Sequence, residues 1–231
     1  MNEKEMLSRI MQIVGVNYIR IYNLLAGMGI PRAALTRTTW FKLCLDGDDR
    51  FDFVFQEGAL STHVSDKRKL EHKDLTMSAG YNRGEKMPAI FVNSKPLEEE
   101  AKAIGISMDA LLEILVMHEL VHCIMQSGFT DCPWIPKAGD PMIYIHEACA
   151  LYACEHGFIR ENLYKTASAD DVKRYIGYMG TSNGSDSEYA PYFTTCRNLP
   201  LSDLWPQLEA SSPCQLDFKA WRNPVTYIPR T

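Results

Sequence analysis

The chain has 231 residues, 46% of them apolar and 23% charged, with a net charge of −5. That length can bury the core of one domain, and we expect a single domain over 1–231 with an N-lobe of about 1–128 and a C-lobe of about 129–231. The acidic balance excludes the electrostatic footprint of a nucleic-acid binder, because the only basic run, Lys67-Arg68-Lys69, reads as a solvated loop.

Residues 3–28 are rich in helix formers and apolar positions, which predicts one or two helices interrupted near Gly15 and ended by Gly27-Met28-Gly29. In "TRTTWFKLCLDGDDRFDFVFQEG", Thr39, Phe41, Leu43 and Leu45 alternate with their neighbours, as do Phe51, Phe53 and Phe55, and Asp46-Gly47-Asp48-Asp49 lies between the two runs. This is a β-hairpin pattern. The polar stretch 58–88 reads as a long loop with at most a short helix. A short strand at 89–93 and an acidic helix ending at Gly105 follow.

Two stronger helices come next. Ser107 is placed to cap the first, Asp109 lies in its first turn and Gly128 stands where a C′ glycine belongs, giving a helix of roughly 20 residues. The second has Asp140 as N-cap, Pro141 at the first helical position and Gly157 at C′. A further helix is predicted around 170–179, and "GTSNGSDSE" after it reads as a loop. Together these elements predict an α+β fold: a small twisted sheet from 38–45, 50–56 and 89–93, then mostly helical structure.

No apolar run reaches transmembrane length, and the acidic start "MNEKEMLSRIMQIVGVNYIR" is unlike a secretory signal. Seven cysteines, an odd number with no CxxC pair, suit buried thiols in a reducing compartment better than a disulfide framework. The expectation is a cytoplasmic protein without membrane or nucleic-acid partners. An effector delivered into a host cytosol would have the same composition.

Chemistry concentrates in "VMHELVHCIMQSG". His118 and His122 are four apart, so on a helix they share a face and can present both imidazoles to one ion. Glu119 is rotated by about 100° from His118, placing it beside such an ion, within reach of a water. This is the mechanics of HExxH: two zinc ligands and a general base. By chance the pattern arises about once in a hundred chains of this composition, so the context matters. Leu111, Leu112, Leu115, Val116, Val121 and Ile124 flank it, and on so apolar a helix buried polar groups require partners.

A catalytic zinc takes a third protein ligand. The metzincin continuation is excluded, since Met125 stands where its glycine would be. In "PMIYIHEACALYACEHG", Glu147 interrupts an apolar stripe of Ile143, Leu151, Cys154 and Phe158. His146 is the adjacent rival, and Glu155 and His156 lie near the helix end, where exposure is the default. Cys123, Cys132, Cys149 and Cys154 read as core cysteines, and Cys44 is distant in sequence.

Over roughly 107–157 the chain resembles gluzincin-type zinc metallopeptidases, with HExxH on one helix and a glutamate on the next. The resemblance implies zinc held by His118, His122 and Glu147, with Glu119 as the base. It implies a zincin-like two-lobe fold and hydrolysis of a peptide or protein substrate. It also likens the strand 89–93 to the edge strand along which such enzymes hold an extended substrate. Many gluzincins carry an aspartate four residues after the third ligand; here that position is Leu151, so another acceptor must orient the histidines. The oxyanion needs a donor besides the metal, for which Tyr178, Tyr189 and Tyr192 are candidates. Two other functions fit the same residues: an inactive zincin-like module that binds protein, and a zinc hydrolase of a non-peptide amide.

Overall fold

The computed structural model describes residues 1–28, 35, 39–56, 59–64, 77–82, 89–126 and 150–179. Its first helix, α1 (Glu3–Gly27), starts at a capping box in which the Asn2 side chain accepts from the Glu5 amide and the Glu5 carboxylate accepts from the Asn2 amide, both at 2.9 Å. Met6, Ile10, Ile13, Val14, Tyr18, Ile21 and Leu25 recur at helical spacing and are buried. The expected break at Gly15 does not occur: α1 is one continuous helix. A glycine in a helix interior costs about 1 kcal/mol. Burying a single large apolar side chain returns about 1.5–3 kcal/mol, and this face buries many.

Among the described residues the sheet has five strands in the order β3-β2-β1-β5-β4: β1 (Thr39–Leu45), β2 (Asp48–Gln56), β3 (Ala59–Val64), β4 (Ala79–Asn82) and β5 (Ala89–Val92). β1 and β2 form the expected antiparallel hairpin. Its turn residues Asp46 and Gly47 both have positive φ, 48° and 83°, as the two-residue turn that matches strand twist requires. β2 pairs antiparallel with β3, β1 parallel with β5, and β5 antiparallel with β4.

Two strands therefore lie in the stretch 58–88 that its polarity marks as loop, and they move the edge. The strand at 89–92 is an interior one with a neighbour on each side, and the edge beside it is β4. β4 reads "AGYN"; glycine and asparagine are poor strand formers, so this strand exists through its pairing with β5. Gly80 lies opposite Phe91 in that register. A Cβ on Gly80 would come within 2.3 Å of the Phe91 ring.

The hairpin turn also starts the next helix, α2 (Ser94–Ile104). Asp46 accepts from the Ser94 amide at 2.7 Å and from the Ser94 hydroxyl at 2.8 Å, so the cap comes from a residue distant in sequence. Asn93, at the N-cap position, instead donates its amide to the Met77 carbonyl at 2.7 Å. α2 ends as expected at Gly105, which is left-handed with φ 78°.

Helix α3 (Met108–Gln126) is capped by Ser107, whose Oγ accepts from the Ala110 amide at 3.1 Å. Every residue from Ala110 to Met125 is buried, the state of a helix that is apolar all round. It touches α1, α2, β1 and β4, and the helical elements that follow.

The first of these is helical from Ala150 and contains a π-helical turn, Ala153–Phe158. Gly157, expected to end the helix, lies inside that turn, and Leu24 of α1 packs where its Cβ would be, at 2.7 Å. The end comes at Asn162, with φ 50°. Its amide bonds to the Ile159 carbonyl and that of Leu163 to the Phe158 carbonyl, a Schellman motif with asparagine at C′. The Tyr164 hydroxyl then donates back to the Cys154 carbonyl at 3.3 Å. Helix α4 (Ala169–Met179) is capped by Ser168, whose hydroxyl accepts from the Asp171 amide at 3.1 Å.

One hydrophobic cluster runs from Met6 on α1 to Ile176 on α4, and the architecture is α+β. Among the described residues no helix is long and apolar enough to cross a membrane. The predicted N-cap at Asp140 and the glycine at Gly128 lie outside the described residues.

The Gly80–Phe91 pair makes the sheet edge sensitive to a single methyl group. Gly80→Ala should lower the unfolding free energy by about 1–3 kcal/mol through overpacking, read by urea denaturation. Combining it with Phe91→Leu should cost less than the sum of the two single changes, because the ring that clashes is gone.

Candidate metal centre

His118, Glu119 and His122 lie midway along α3, one helical turn apart for the two histidines. Each is buried, at 4%, 6% and 3% exposure respectively, among Leu115, Val116, Met117, Leu120 and Val121, all at 6% or below. Such exposures mean that these three polar side chains must find their partners inside the protein.

The two imidazoles face each other edge to face, with ring centroids 4.8 Å apart and Nε2 3.1 Å from Nε2. A tetrahedral ion with metal–nitrogen bonds of 2.0–2.1 Å holds its ligand nitrogens about 3.3 Å apart. The observed pair departs from that by only about 0.2 Å, so the two nitrogens are spaced as two ligands of one ion would be. One potential ligand atom from each of His118, Glu119 and His122 lies within 4.8 Å of the others. Two imidazoles with a carboxylate beside them can hold any of several divalent cations. A buried His-Glu-His group that could hold a metal ion is therefore present.

Of the other candidates, Glu147, His146, Tyr189, Tyr192, Cys132 and Cys149 lie outside the described residues. Tyr178 is placed on α4 beside Glu100 of α2, where burial and the Glu100 charge raise its pKa. On the same helix Arg174 donates to the Gly105 carbonyl at 2.9 Å, just before α3 begins. His118 lies ten residues beyond Met108, the first residue of α3, which is about 15 Å of helix axis. The structure thus brings His118, Glu119 and His122 together, and sets Tyr178 against α2.

Glu155 and His156 pair with each other at 3.6 Å. The His156 side chain is 46% exposed and stacks on Tyr152 with centroids 4.6 Å apart. Cys44, Cys123 and Cys154 are buried and in no disulfide. Leu151 is 1% exposed and, being apolar, offers no acceptor to a histidine ring.

A residue that sequence reasoning passed over is Glu113, 1% exposed on the same helix. Its carboxylate accepts from three successive backbone amides: Lys165 at 3.0 Å, Thr166 at 2.7 Å and Ala167 at 2.8 Å. The signal was available, since an acidic residue inside "LLEILVM" needs a partner for the same reason as Glu119. The identity of that partner, a backbone loop some fifty residues away, was not.

No protein-family model, curated protein or solved structure matches this chain.

The geometry makes a direct prediction for metal binding. Wild type should take up one zinc per chain in equilibrium dialysis, and His118→Ala or His122→Ala should lose it. Stoichiometric zinc in either variant would place the ion elsewhere.

Proposed function

We propose that the protein is a zinc-dependent hydrolase of peptide bonds, of gluzincin type with a zincin-like fold. The observation that carries this reading is the buried pair of imidazoles with Nε2 3.1 Å from Nε2 and the buried Glu119 next to it on the same helix. The sheet supports it as well. α3 packs against β4, the antiparallel edge strand among the described residues, and an edge strand is the element that an extended peptide pairs with.

In this reading His118 and His122 hold the ion, and Glu147 supplies the third ligand. Glu147 is three residues before Ala150 in the chain, and three residues reach at most about 11 Å. Ala150 is itself buried within the cluster that contains α3. Zinc bound there would supply the Lewis acidity that brings the pKa of a water toward neutrality and polarises the scissile carbonyl.

Glu119 performs the proton chemistry. Its carboxylate takes a proton as the water oxygen bonds to the carbonyl carbon, and returns it to the amide nitrogen as the carbon–nitrogen bond breaks. A carboxylate buried to 6% exposure is shielded from bulk water, which favours passing that proton to the substrate. Tyr178, Tyr189 or Tyr192 would donate to the oxyanion, at a site the metal alone leaves half-served.

The test separates the enzyme from a metal-holding binding module. Glu119→Gln keeps size and hydrogen bonding but cannot accept a proton at neutral pH. It should retain zinc and melt near wild type, while turnover of a peptide selected from a library falls by ~10²-fold or more. Equal turnover by wild type and variant would refute the assigned base. If both hold zinc and neither cleaves peptides or simple amides, the binding-module reading replaces this one. In parallel, Glu147→Ala should weaken zinc markedly and His146→Ala should not; the reverse order would move the third ligand by one residue.

A further inference from the structure

α3 carries a second buried carboxylate besides Glu119. The amides of Lys165, Thr166 and Ala167 converge on Glu113 at 2.7–3.1 Å. Successive amides aimed at one anion form a concave nest for negative charge. Amides carry no net charge, so the nest holds the charge of Glu113 in place without cancelling it. The cation paired with it among the described residues is Arg9 of α1, at 3.8 Å.

The two charges differ in their surroundings. The Glu113 side chain is 1% exposed and that of Arg9 20%, so water reaches the guanidinium and not the carboxylate. Arg9 also donates to the hydroxyl of Thr166, an exposed residue. A buried charge acts through a medium of low effective dielectric and is screened little by salt, whereas a solvated one is damped. The pair therefore leaves a net negative field inside the protein.

His118 follows Glu113 by five residues on the same helix, about 7.5 Å along the axis and about 140° around it. That sets the carboxylate roughly 15 Å from the imidazole pair, and every residue of α3 between them is buried. At that separation, with an effective dielectric between about 20 and that of water, one unit charge alters the binding of a divalent ion on the order of tenfold.

We propose that Glu113 and Arg9 tune the metal centre from a distance. Resting on the reading of His118 and His122 as ligands, the buried charge of Glu113 raises the affinity of that pair for a divalent cation, and Arg9 lowers it. The two residues share one clasp and yet act on the site with opposite signs.

Zinc dissociation constants measured by chelator competition test this, at a temperature where circular dichroism shows each variant folded. Glu113→Gln removes the charge and should weaken zinc about tenfold. Arg9→Gln removes the opposing charge but keeps a donor for Thr166, and should tighten zinc about threefold, the smaller change following from its partial exposure. Thr166→Val breaks the hydrogen bond to Arg9 without altering charge and should leave zinc affinity unchanged. Damage to the clasp would weaken zinc in all three variants, so the opposite signs distinguish a field from a loss of structure. With wild type binding one zinc, no weakening in Glu113→Gln, or no tightening in Arg9→Gln, overturns the tuning role and leaves the metal reading standing. If Glu113→Gln does not fold, the sign of the Arg9→Gln change decides alone. Wild type that binds no zinc removes the metal reading and this proposal with it.

Discussion

The described elements pack around a helix, α3, that is buried on every side from Ala110 to Met125, so α1, α2, the sheet and the C-terminal helices must all pack on it to exclude water. That constraint turns each polar residue on α3 into a demand for a specific internal partner, because an unpaired buried charge is far more costly than a paired one. Glu113 meets the demand with three backbone amides. His118 meets it in part through His122. Charged and polar groups so placed are weak stabilisers compared with apolar residues of similar size.

The contacts that seat the elements around α3 are made at their ends. The β1–β2 turn caps α2 through Asp46 and Ser94. Leu24 of α1 fills the space over Gly157 in the π-turn, and Arg9 and Arg20 hold the chain beyond it. Each joins residues far apart in sequence. The buried polar residues of α3 are thereby enclosed by α1, α2, the sheet and the 150–168 segment together.

The edge of the described sheet is not the strand that the sequence points to. A strand at 89–92 is legible in "AIFV", an apolar run closed by Asn93 and Ser94. Its place just ahead of the HExxH helix resembles that of an edge strand, whereas among the described residues it is interior and β4 lies at the edge beside it. A four-residue strand containing glycine and asparagine has no periodic signature. Its existence depends on pairing with β5 and on the Phe91 ring lying over Gly80.

The sequence by itself determined the features that arise from near neighbours. It showed the hairpin turn at Asp46-Gly47, the Ser107 cap, the left-handed Gly105 and the single helical face shared by His118 and His122, because these follow from local backbone sterics and helical periodicity. Tertiary structure alone decided where packing or pairing overrides local preference. It carried α1 through Gly15, continued the helix past Gly157 to Asn162, and built β3 and β4 from a polar stretch. It also revealed the partner of Glu113, since a carboxylate in an apolar helix announces a need for donors, and only the folded chain brings the amides of Lys165, Thr166 and Ala167 within reach.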